Sequence, residues 1–60
     1  MKLKRFNDTL IVVNPLGLIL ALVDGEETQI LHRCTNAEYD FIHQARANYD
    51  QIMTLTDIEL

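Results

Sequence analysis

Runs of aliphatic residues fill the first half of the chain, and two short turn sequences divide them. Asn14-Pro15-Leu16-Gly17 places Asn, Pro and Gly at the first, second and fourth positions of a type I turn, and Gly suits a bulge after it. Asp24-Gly25, between two strand-like runs, is a strong hairpin signal. The pattern therefore predicts three antiparallel strands, at residues 5–13, 18–23 and 28–34.

The middle predicted strand has no polar face. Side chains of a strand point alternately to its two sides, and here both sets are apolar. One set comprises Leu18, Leu20 and Leu22, and the other comprises Ile19, Ala21 and Val23. Small antiparallel sheets usually leave one face exposed to solvent. We therefore expect both faces of this sheet to need cover.

A helix is predicted over residues 35–54. Thr35 followed by Glu38 forms a capping box, in which each side chain bonds the other residue's backbone N–H. Apolar residues then recur every three or four positions and form one stripe. They are Phe41, Ile42, Ala45, Tyr49, Ile52 and Met53. Such a helix can cover one sheet face.

These elements predict a single α+β domain over residues 1–60, a three-stranded β-meander (5–34) with one C-terminal helix on one face. The tail, 55–60, is open to two interpretations. Thr56 and Glu59 repeat the capping-box spacing and favour a short helical turn. The alternative is an acidic-apolar peptide that docks on a partner.

The second sheet face is expected to lack cover. The predicted uncovered residues are Ile11, Val13, Ile19, Ala21 and Val23. Burial contributes about 25 cal/mol per Å² of apolar surface, so a few hundred Å² is worth several kcal/mol. We therefore expect a homodimer or a protein partner to cover this face. In the alternative, a monomer, the N-terminal segment or the tail lies over it.

Composition agrees with a small folded domain, since 48% of the 60 residues are hydrophobic and the net charge is −4. A chain this short has a small core and often needs a second subunit for stability. Its single cysteine favours a reducing, intracellular (cytoplasmic) compartment. The apolar stretch 10–23 is shorter than a membrane span and contains Pro15 and Gly17, so we expect neither a signal peptide nor a membrane anchor.

The residues with reactive or metal-binding side chains form no recognisable motif. His32, Cys34 and His43 match a catalytic zinc site in number, but their spacing fits no standard pattern. Cys34 precedes a helix, where a thiol pKa can fall, yet a nucleophile also needs a base and a pocket. A small apolar role under the helix start is the better interpretation. We predict no catalytic, metal or cofactor residue.

Charge is unevenly distributed, with a net of +2 in residues 1–23 and −6 in 24–60. The acidic surface candidates are Glu38, Asp40, Asp50, Asp57 and Glu59. They form either a solvated face or a mimic of nucleic-acid phosphate that blocks a basic partner. Tyr39 and Tyr49 are further interface candidates, because tyrosine is enriched at binding hot spots.

The sequence thus predicts a non-enzymatic protein–protein interaction module, homodimeric and acting as an inhibitor, adaptor or regulatory subunit of the kind that phages and mobile elements encode. The alternative is a dimeric nucleic-acid-binding regulator that uses the basic edge Lys2, Lys4 and Arg5. Three cations in an acidic chain make a weak footprint for nucleic acid. A basic edge strand also protects against edge-to-edge aggregation.

Overall fold

A computed structural model describes residues 1–55. They form one four-stranded antiparallel sheet, with strands in sequence order, followed by two helices. The α+β class and the meander are as predicted, with one more strand and one more helix than expected. The elements are β1 Lys2–Phe6, β2 Thr9–Val13, β3 Ile19–Val23, β4 Thr28–Ile30, α1 Asn36–Ala47 and α2 Tyr49–Leu55.

The first predicted strand is a hairpin of two strands. β1 and β2 pair from Phe6↔Thr9 outwards, so only Asn7 and Asp8 make the turn. Asn7 has a φ of 56°, a left-handed conformation that Asn tolerates better than most residues. The prediction of one continuous strand over 5–13 was wrong, because Asn7 and Asp8 form a two-residue turn within that segment.

A register shift changes which residues of β3 share a face with β2. Val12 lies opposite Ala21 and Val13 opposite Ile19, so Leu20 is the extra residue of a bulge. Leu20, Ala21 and Val23 are at most 1% exposed and belong to the core under the helices. The prediction that Ala21 and Val23 lie on the uncovered face is therefore wrong.

Both predicted turns are present. Asn14 accepts hydrogen bonds at Oδ1 from the backbone N–H groups of Leu16 and Leu18, and Gly17 takes a φ of 90°. Asp24 Oδ1 accepts bonds of 2.8 Å from the N–H groups of Glu26 and Glu27. The strand after this turn, β4, is shorter than the predicted 28–34.

The Asp24 turn predicts an acid-sensitive contribution to stability. Hydrogen bonds from the backbone of Glu27 and then Glu26, with a smaller effect of the Arg46 charge, hold the Asp24 pKa below its ordinary value of 3.8. The native carboxyl thus loses its charge at lower pH than the unfolded one. Its contribution is complete above about pH 3.8 and is lost as pH falls through the native pKa.

Urea denaturation of the wild type and Asp24→Asn between pH 2.5 and 6 tests this. We expect the difference in unfolding free energy between the two proteins to shrink as the pH falls below 4. Asn keeps a side-chain acceptor but carries no charge, so the variant removes only the charge. Glu26→Gln, in the same turn, is the control for general effects of acid. A difference that is constant over the whole pH range would contradict the assignment.

The helical region begins as predicted and is interrupted once. Thr35 Oγ1 accepts from the Glu38 N–H at 3.1 Å, and Glu38 Oε1 accepts from the Thr35 N–H at 2.8 Å, which completes the capping box. At Asn48, φ −103° and ψ 13° separate α1 from α2. Leu55, the first residue of the predicted tail, is the last residue of α2, and the predictions for residues 56–60 lie outside the described residues.

The core lies between the helices and one face of the sheet. Leu10, Val12, Leu20, Ala21, Val23 and Ile42 form its buried centre. Leu3, Cys34, Phe41, Tyr49, Ile52 and Met53 pack around this centre. Five of the six predicted apolar helix residues thus reach the core cluster directly, and the sixth, Ala45, is also buried at 3% exposure. Within the described residues, the helices therefore cover one face of the sheet.

Candidate functional site

The sheet face opposite the helices is the candidate site, and we call it the open sheet face. Residues paired directly across an antiparallel sheet point to the same side, so the register defines its rows. One row is Lys2, Val13 and Ile19; the next is Lys4, Ile11, Leu22 and Gln29; the third holds Phe6 and Thr9. Within residues 1–55, both helices pack on the other face.

The centre of the open sheet face is apolar and partly accessible. Ile19 is 41% exposed and Phe6 67%, while Ile11 and Leu22 are half-buried. Val13 is nearly buried and lines a cavity of about 330 Å³, whose wall also includes Asn14, Pro15 and Ile19. Of the five aliphatic residues expected on this face, Ile11, Val13 and Ile19 lie there, and the structure adds Leu22 and Phe6.

Opposite charges stand at the two edges of the open sheet face. Lys2 and Lys4 project from β1 and line the cavity. At the other edge, Gln29 Nε2 donates to Glu27 Oε2 at 3.4 Å, so these two side chains lie on one side of the sheet. Arg5 pairs with Leu10 and so faces the helix side. The predicted basic group of three cations is therefore divided between the two faces.

A second concavity, also about 330 Å³, lies between β4 and α1. Ile30, Tyr39, His43 and Arg46 are among its lining residues. Arg46 makes structural bonds there, since its Nε donates to Thr28 Oγ1 at 3.1 Å and its Nη2 to the carbonyls of Asp24 and Glu27. The Arg46 guanidinium, a polar group of this concavity, is therefore already bonded within the fold.

The potential ligand set of the sequence is not assembled into a metal site. Within residues 1–55, no group of three or more His, Cys, Asp or Glu side chains is placed to hold a metal ion. Cys34 Sγ donates to the His32 carbonyl at 3.2 Å. Burial, and then the negative charge of Glu38, raise the pKa of the Cys34 thiol. The thiol is thus less reactive than an ordinary cysteine at neutral pH.

The remaining predicted site residues are scattered. Glu38 is engaged in the capping box, and Asp40 and Asp50 are exposed on different helices. Tyr39, 37% exposed, lies at the β4–α1 concavity. Tyr49 is half-buried, and its hydroxyl donates to the carbonyl of Asp8. Asp57 and Glu59 lie outside the described residues.

Sequence reasoning missed the lysines as part of an apolar face. The alternation Lys2-Leu3-Lys4 indicates a strand with a charged side and an apolar side, and this signal is present in the sequence.

Among the described residues, 1–55, neither helix has the length and apolar character that crossing a membrane requires. Comparison with protein-family models, curated proteins and solved structures finds no match for this chain.

Proposed function

We propose that this chain is a small protein–protein interaction module and that the open sheet face is its docking surface. The observation that carries the proposal is an apolar surface on the sheet face opposite the helices, in which Ile19 and Phe6 are well exposed. Such contiguous apolar surface in a small soluble domain typically marks an interface. The module acts by occupying a partner, as an inhibitor, adaptor or regulatory subunit.

The size of the open sheet face supports this role. Three strands of five residues and one of three, spaced about 4.8 Å apart with about 3.3 Å per residue, give a face of at most roughly 19 by 17 Å. At about 25 cal/mol per Å², covering a few hundred Å² of it contributes several kcal/mol. That free energy is comparable to the whole stability of a 60-residue domain. A protein partner that covers this face would therefore add substantially to the stability of the folded chain.

The alternative, a nucleic-acid-binding regulator, has less support. Lys2 and Lys4 share a face with aliphatic residues, and Arg5 faces the helix side. A phosphate-binding surface needs clustered cations, and affinity then falls steeply with salt. An acidic mimic is also less supported, because Glu38 is engaged in its cap and Asp40 and Asp50 are on separate helices.

Two isoleucines offer a matched test of the docking surface. Ile19 is 41% exposed on the open sheet face, and Ile30 is 42% exposed at the β4–α1 concavity. We expect Ile19→Lys to abolish the binding of protein partners, because a charge would be buried in the interface. Ile30→Lys should leave it unchanged. Immobilised wild type and both variants are compared by protein capture from lysate of the source cells, after circular dichroism confirms folding.

The informative result is a protein retained by the wild type and Ile30→Lys and lost with Ile19→Lys. Equal capture by both variants would reject the open sheet face as the docking surface. Loss with Ile30→Lys alone would place the surface at the β4–α1 concavity instead. If the wild type captures no protein, not even a second copy of the chain itself, the proposal of an interaction module is rejected.

A further inference from the structure

The open sheet face carries opposite charges at its two ends in the direction across the strands. Lys2 and Lys4 stand on β1, one edge strand, and Glu27 stands beside Gln29 at the other edge strand, β4. The aliphatic residues of β2 and β3 lie between them. A surface with this order, basic then apolar then acidic, is complementary to a reversed copy of itself.

Two face-to-face arrangements with twofold symmetry are possible, and the charges distinguish them. An axis perpendicular to the strands, in the plane between the sheets, places β1 over an antiparallel β1, so that the basic edges of the two copies meet. An axis parallel to the strands places β1 over β4 of the second copy and β2 over β3. Only the second arrangement brings Lys4 over Gln29, one row from Glu27. Like charges in contact disfavour the first.

We propose that a second copy of this chain docks on the open sheet face, with the twofold axis parallel to the strands. The inference rests on the proposed function, because it takes this face as the docking surface and names its occupant. Each charge contact then occurs twice, as symmetry requires. Lys4 of one copy lies over the row that contains Gln29 of the other, one step along the strand from Glu27.

The area indicates a weak dimer. A face of at most roughly 19 by 17 Å on each copy gives roughly 650 Å² over the two copies, which is below the about 1,200–2,000 Å² that stable complexes bury in total. We therefore expect a dissociation constant on the order of micromolar, in the transient class. The wild type should change from monomer to dimer within the range accessible to sedimentation equilibrium, and added salt should weaken the dimer.

Charge reversal at the two edges provides the decisive test. Lys4→Glu and Glu27→Lys should each weaken self-association roughly tenfold, because attraction becomes repulsion in two symmetric contacts. Mixed in equal amounts, the two variants should form heterodimers of nearly wild-type affinity, since both charge pairs are then opposite again. Arg33→Glu and Glu26→Lys make the same charge changes at exposed positions off the face and should change the affinity less than about twofold.

Three results would overturn the inference. A wild type that stays monomeric throughout the accessible range rejects the second copy as the occupant. Stronger association of Lys4→Glu alone indicates that β1 lies over β1. Failure of the mixture to regain affinity rejects the β1-over-β4 contact. The salt titration needs no variant and applies even if a variant misfolds.

The two proposals can fail separately. If the wild type is monomeric but Ile19→Lys still loses captured proteins that Ile30→Lys retains, the docking surface stands and its occupant is a different protein. If the wild type forms dimers that Ile19→Lys does not weaken, the open sheet face is rejected, and the dimer inference with it.

Discussion

Leu20→Ala is expected to lower the free energy of unfolding by about 3 kcal/mol, the usual cost of truncating a buried leucine. Leu20 is 1% exposed in the core centre, and its bulged position fixes which residues of β3 face the helices. The whole stability of a 60-residue domain is only on the order of 3–9 kcal/mol. Urea denaturation followed by circular dichroism should therefore show a large loss, up to an unfolded variant at 25 °C.

Leu18→Ala is the matched control, because it removes the same atoms from a leucine that is 44% exposed and precedes the bulge. We expect it to cost less than about 1 kcal/mol. The alternation of the sequence alone puts both leucines on one face and predicts similar losses. Equal destabilisation by the two variants would contradict the burial of Leu20 in the core centre.

The fold could be predicted from the sequence as far as local signals extend. Asn14 and Gly17, Asp24, and the Thr35–Glu38 pair each act within a few residues, and each forms the turn or cap that its chemistry favours. The Asn7 turn was missed because a two-residue turn without glycine resembles an irregularity within a long strand. The break at Asn48 interrupts an apolar stripe that continues on both sides, so periodicity did not indicate it.

The candidate site was predicted only in part, because face membership depends on strand pairing. Ile11, Val13 and Ile19 lie on the open sheet face as expected, and Ala21 does not, since one extra residue in β3 reverses the phase of alternation. Pairing between strands is a property of two segments, and the sequence of one strand does not contain it. The positions of Lys4 and Glu27 at opposite edges of the sheet likewise depend on how the strands are arranged.

Arg46→Met is expected to lower the free energy of unfolding by about 2 kcal/mol, because several bonds to one charged group are lost. The guanidinium fastens the β3–β4 turn to α1 through the carbonyls of Asp24 and Glu27 and through Thr28 Oγ1. It also lies 5.5 Å from the Tyr49 ring centroid, over the ring. Methionine keeps much of the apolar stem but donates no hydrogen bond, so the measured loss reports on the polar contacts.

Arg33→Met, at an exposed arginine in the loop before α1, removes the same charge and should change the free energy of unfolding by less than about 0.5 kcal/mol. Urea denaturation at pH 7 gives both values, and amide hydrogen exchange locates the change. In Arg46→Met, protection should fall first at Asp24 and Glu27, because their turn is no longer held to the helix. Equal effects of the two variants would show that net charge, and not the Arg46 contacts, governs the stability of this turn.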